Sequence, residues 1–88
     1  MEIIMKIQQS TSLTPQEIFE YKTKWKPGYT VRLHSDLRSQ GKEFCKVQMF
    51  KHQWDINEYT NVYEDTFMFE YKQDANSFAA QWPEYTNL

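Results

Sequence analysis

Between Tyr63 and Trp82 the hydrophobic period changes from two to about 3.6, and this change constrains the fold more than any other feature. Phe67, Phe69 and Tyr71 alternate with Thr66, Met68, Glu70 and Lys72, as in a strand with one face on a core. Ala75, Phe78, Ala79 and Trp82 then follow at i, i+3, i+4 and i+7, the apolar stripe of a short helix. Asp74 stands where a cap is expected and Pro83 where the helix should stop. A strand whose following helix folds back onto it requires an α+β arrangement. It also assigns the row of aromatic rings to the core, leaving Met68 and Glu70 on the opposite face.

Upstream, Ile3, Met5 and Ile7 alternate with Ile4, Lys6 and Gln8, which predicts a first strand over Glu2 to Gln8. Thr14-Pro15-Gln16-Glu17 combines a capping box with proline at the first helical position. Ile18, Tyr21 and Trp25 continue it as a helical stripe that Pro27-Gly28 ends. Tyr29, Val31 and Leu33 alternate with Thr30, Arg32 and His34 in a second strand.

Residues 37–51 fit two descriptions. As a helix, Leu37, Gly41, Phe44, Cys45 and Val47 share a face, and Gly41 costs about 1 kcal/mol against alanine. As a strand, Cys45, Val47 and Met49 alternate with Lys46 and Gln48. The helix is favoured, because about fifteen residues between strands suit a crossover and the strand register would turn Phe44 and Phe50 out of the core.

Gln53 to Tyr59 reads as a strand around Trp54 and Ile56, joined through the loop Glu58 to Glu64 to the strand of the opening paragraph. Residues 83–88 read as a frayed tail.

The expected order is β-α-β-α-β-β-α within one domain, residues 1–88. Its parts are a first strand and helix (1–28), a ferredoxin-like βαββα core (29–82) and the tail. The sheet would have about four strands, antiparallel or mixed, with helices on one face and the other face open.

Eighty-eight residues leave no room for a second domain, and so short a chain buries only about two-thirds of its unfolded surface. Three Trp, six Tyr and six Phe make a core possible at this length. No apolar run nears the ~20 residues of a membrane span, and the N-terminus lacks the pattern of a signal peptide. A lone cysteine, Cys45, excludes an intrachain disulfide and suits a reducing cytoplasm.

The net charge of −2 hides an asymmetry. Residues 1–53 carry nine Lys or Arg against five acids, whereas residues 54–88 carry only Lys72 against seven. Neutralisation of one half by the other is the simpler reading, and no wholesale basic footprint for nucleic acid is present.

Nothing in the sequence argues for chemistry. His34, Asp36, Cys45 and His52 match no zinc spacing, and Glu64-Asp65 point to opposite faces of a strand. No phosphate loop or nucleotide fingerprint occurs, so the expectation is a non-enzymatic chain without cofactor or metal.

Two binding surfaces remain. The open sheet face would hold Lys6, Arg32 and His34 for phosphates, Tyr59 for stacking on single-stranded nucleic acid, and Met68 and Glu70 beside them. Alternatively Trp25, Tyr63, Tyr85 and Met68 are groups that a small core does not absorb, available to a protein partner or a second copy. The protein-binding reading leads.

At His34-Ser35-Asp36-Leu37-Arg38, Phe44-Cys45-Lys46, Trp54 and Tyr59-Thr60-Asn61-Val62-Tyr63-Glu64-Asp65-Thr66-Phe67, the chain resembles small uncharacterised proteins of T4-like tailed bacteriophages, including those infecting marine cyanobacteria. The resemblance covers residues 29–82. It implies a strand–helix–strand–strand–helix order and an accessory protein that acts by binding a host or phage component in the host cytoplasm. It implies no activity.

Overall fold

The computed structural model describes residues 13–87, so the expected strand from Glu2 to Gln8, with Lys6 on it, lies outside the described residues. Thr14 caps helix α1 (Pro15–Trp25) by the expected capping box: its hydroxyl accepts from the Glu17 N–H while the Glu17 carboxylate accepts from the Thr14 N–H. After Gly28 the chain enters strand β1 (Tyr29–His34). Gly28 has φ +53°, and a Cβ there would collide with the Phe69 carbonyl oxygen, so both backbone and space require glycine.

Residues 37–51 are helical where the apolar stripe is clearest, in α2 (Arg38–Gln48). Gly41 acquires a reason beyond propensity. A Cβ there would lie 2.8 Å from the tip of the Phe67 ring and 2.9 Å from a Leu33 methyl carbon. The missing side chain lets α2 sit down on the sheet. Cys45 and Met49 are buried with Gly41, while Val47, expected on this face, is 37% exposed.

A short 3-10 turn, Lys51–Gln53, leads into β2 (Trp54–Asn57), shorter than expected because Gln53 belongs to the turn and Tyr59 to the loop. Strand β3 (Glu64–Phe69) follows, then α3 (Lys72–Gln81). Helix α3 starts two residues before Asp74, with Tyr71 at the cap position and no side-chain capping hydrogen bond. Tyr71 is consequently 45% exposed and leaves the aromatic row, a correction to its expected place in the core.

Residues 13–87 thus make a small α+β domain of three helices and a three-stranded antiparallel sheet. β3 lies at its centre, with Val31 opposite Phe67 on one side and Ile56 opposite Phe67 on the other. Inward positions of the three strands and the facing sides of α2 and α3 form one core. Val31, Leu33, Cys45, Phe67, Phe69 and Phe78 are fully buried in it, with Met49, Trp54 and Ala75 almost so. Phe78 reaches both strand phenylalanines, at 4.6 Å from Phe67 and 5.2 Å from Phe69 between ring centroids.

The expected frayed tail instead returns to the sheet. Thr86–Asn87 pair antiparallel with Leu33 and Arg32 as a two-residue strand, β4. The Thr86 hydroxyl, bonded to the Trp82 and Ala79 carbonyl oxygens, ties this segment to the end of α3. Among the described residues no helix is long and apolar enough to cross a membrane.

Candidate interaction surface

The alternation that buries Phe67 and Phe69 also drives Asp65 inward, and Asp65 has no solvent exposure. A buried carboxylate needs a cation and full hydrogen bonding. Arg38, in the first turn of α2, supplies both prongs: Nε donates to Oδ2 and Nη2 to Oδ1, each at 3.0 Å. The Tyr59 N–H donates to Oδ1 at 2.7 Å. Burial pushes the Asp65 carboxyl up, but the Arg38 fork and the Tyr59 amide outweigh it and hold the group below the usual aspartate value.

This ion pair anchors the β2–β3 loop. Tyr59 takes the left-handed conformation, φ 55°, and its ring lies 4.1 Å from the Arg38 guanidinium carbon. Glu58 sits within 3.8 Å of Arg38 and bonds to Lys42 at 2.8 Å. Thr60 shares a 2.6 Å hydrogen bond with the Thr66 hydroxyl and another with the Asn57 carbonyl. The Asn61 side-chain oxygen accepts from the Tyr63 N–H, a local Asx turn, while its amide donates to Glu64. Finally, the Ser35 N–H donates to the Tyr63 carbonyl at 2.8 Å, fastening the loop to the end of β1.

A loop so thoroughly tied down nevertheless displays three large apolar side chains: Tyr59 is 64% exposed, Val62 79% and Tyr63 68%. Tyr63 stacks on His34, ring centroids 6.4 Å apart. The His34 N–H in turn donates to the Tyr85 carbonyl, so the turn after α3 adjoins the same end of the sheet.

The residues expected to form a binding face are divided between two ends of the molecule. Arg32 and His34 lie on the open face near this loop, with the Arg32 guanidinium 3.9 Å from Glu64 and His34 Nδ1 accepting from the Asp36 N–H. Tyr59 is on the loop rather than on a strand. Met68 is half-buried beside Thr30 and Asp55, toward the opposite end. Glu70 is absorbed by α1: its Oε2 accepts from the Tyr21 hydroxyl at 2.7 Å. Trp25 is likewise engaged, its Nε1–H donating to the His52 carbonyl.

Outward positions along the three strands are Thr30, Arg32, His34, Asp55, Asn57, Glu64, Thr66 and Met68, with no Phe, Tyr or Trp among them. Arg32 is matched by Glu64, and Asp55 by Lys22 and Lys26 from α1 and its C-terminal cap. That is a poor lattice for phosphates or stacked bases.

Cys45 is buried, and burial, with the Asp74 charge adding to it, pushes its thiol far above the range in which a thiolate forms near neutrality. Among the described residues no group of three or more His, Cys, Asp or Glu could hold a metal ion. Compared with known proteins, the chain matches no family model, no curated protein and no solved structure.

Proposed function

We propose that this chain is a non-enzymatic protein-binding module that presents the β2–β3 loop to its partner. One observation carries the reading: the loop consumes its own polar groups in internal hydrogen bonds while leaving Tyr59, Val62 and Tyr63 in water. Exposed aromatic groups on a fixed backbone bind without the ordering cost that a flexible loop would incur. His34 and Arg32 supply the polar rim beside them.

We also read the layout as ferredoxin-like. The spatial strand order β2-β3-β1-β4, antiparallel throughout, supports that reading, with the short β4 taking the fourth place. The resemblance to small T4-like phage proteins supports an accessory role in a bacterial host cytoplasm, on a host or phage component.

The test compares wild type with a Val62→Ser, Tyr63→Ser double variant as bait in nuclease-treated bacterial extract. The expected outcome is a protein retained by wild type and reduced about tenfold or more by the variant. Both substitutions are at exposed positions, so melting temperatures should agree within a few degrees. Equal capture by both baits overturns the loop assignment. Capture that disappears with nuclease overturns the protein-binding reading in favour of single-stranded nucleic acid on the Arg32 face. Light scattering of the bait alone separates a foreign partner from a second copy of the chain.

A further inference from the structure

Immediately after α3 the chain turns sharply, and Gln81, Trp82, Pro83, Glu84 and Tyr85 line a pocket of about 280 Å³. That lies just below the ~300–1,000 Å³ of small-molecule sites, and is a size for one side chain rather than a cofactor. Its walls are fixed. The Trp82 ring is wedged edge-on against Phe44 and Phe78, at 6.0 and 5.2 Å between centroids. The Tyr85 N–H donates to the Trp82 carbonyl, and the Thr86 hydroxyl bonds to that same oxygen. Tyr85 is still 54% exposed.

The lining residues include two aromatic ones, Trp82 and Tyr85, and a single charged one, Glu84. Residues 73–88 contain Asp74 and Glu84 and no lysine or arginine, so no cation from this stretch competes for the pocket. Aromatic faces beside a carboxylate are complementary to a planar cation, which stacks on the rings and donates to the acid.

We propose that this pocket receives an arginine side chain of the partner peptide. The Tyr85 carbonyl is bonded to His34, on which Tyr63 stacks, so the pocket continues the surface described above. The identity of the peptide as partner rests on the protein-binding reading, whereas the pocket's preference for a cation does not.

The probe is acetyl-Gly-Arg-Gly-amide, titrated into ¹⁵N-labelled protein, with the citrulline peptide as the neutral isostere. Amide shifts should concentrate at residues 81–86 with the arginine peptide and be absent or much smaller with citrulline. Glu84→Gln should weaken arginine binding about fivefold or more, and Tyr85→Ala comparably, a fivefold change being about 1 kcal/mol. Both variants alter exposed side chains, and their unperturbed spectra elsewhere certify the fold. Equal shifts from citrulline, shifts centred elsewhere, or unchanged affinity in Glu84→Gln overturn the proposal. The two ideas fail separately: loss of capture in the Val62/Tyr63 variant does not depend on this titration, and arginine entering the pocket does not depend on that capture.

Discussion

Asp65 occupies the first inward position of β3, where its neighbours along the face are Phe67 and Phe69. Replacing it with asparagine keeps the shape but removes the buried charge that accepts both prongs of the Arg38 fork. Losing a charge-assisted hydrogen bond of this kind costs about 1.5–3 kcal/mol. Asp65→Asn should therefore lose roughly that much stability in a urea melt, and the Tyr59 amide, which bonds to Oδ1, should exchange with deuterium faster than in wild type. The pH dependence has a definite sign. Because the folded carboxyl titrates below its unfolded value of about 3.9, its stabilisation is complete above that value and is lost as pH falls through the folded one. Wild type should show a steep loss of stability below about pH 4 that is shallower in Asp65→Asn.

At the scale of elements, α1 differs from α2 and α3. It has no fully buried side chain, and Phe19 on it is 63% exposed. It is held by the Tyr21–Glu70 and Trp25–His52 hydrogen bonds and by Lys22 and Lys26 near Asp55. An element attached by side-chain hydrogen bonds at a sheet edge opens at less than the global unfolding free energy, so its amides should exchange before those of α2. His52 lies at this junction, its ring 4.7 Å from Tyr21 and 5.6 Å from Phe50. Burial lowers its pKa, Glu70 pulls it up and Lys22 adds to the lowering, for a net depression below 6.5. A depressed histidine makes the unfolded chain bind the proton first, so stability falls as pH drops below about 6.5. Thermal melts between about pH 7 and 5.5 should show a smaller decline in His52→Phe than in wild type. An equal decline in the two proteins would place the titrating group elsewhere.

At the scale of the whole molecule, the described residues share one largely aromatic core, built by β1, β2, β3, α2 and α3. Phe69, fully buried and in ring contact with Phe78, stands for it. Phe69→Ala should cost about 3–5 kcal/mol, against the ~5–15 kcal/mol that holds a domain of this kind together. A denaturant titration followed by far-ultraviolet circular dichroism would show the midpoint collapse or the fold lost outright. The inner face is filled by helices and the outer face is a charge-balanced sheet; among the described residues Val62, Tyr63 and Tyr59 of the β2–β3 loop, with Phe19 on α1, are the most exposed large apolar side chains.

The sequence by itself determined most of the elements and most of their inward faces, and left residues 37–51 open between helix and strand. Periods of two and 3.6 follow from backbone geometry alone, so α1, β1, α2 and the β3–α3 pair are legible in Thr14-Pro15, Val31/Leu33, Gly41/Cys45 and Phe67/Phe69/Phe78. Asp65 read in the sequence only as one of two adjacent acids on opposite faces of a strand; its burial and its partner Arg38, 27 positions away, are named by no local rule. The tertiary structure also decided that Glu70 belongs to Tyr21, 49 positions distant, and so leaves the binding face. It turned Tyr71 outward, because α3 begins before the alternation ends, and it bound the tail at Thr86 into the sheet. Above all it left Val62 and Tyr63 uncovered on a rigid loop. Exposure and ion pairing depend on which distant segments come together, and periodicity carries no information about that.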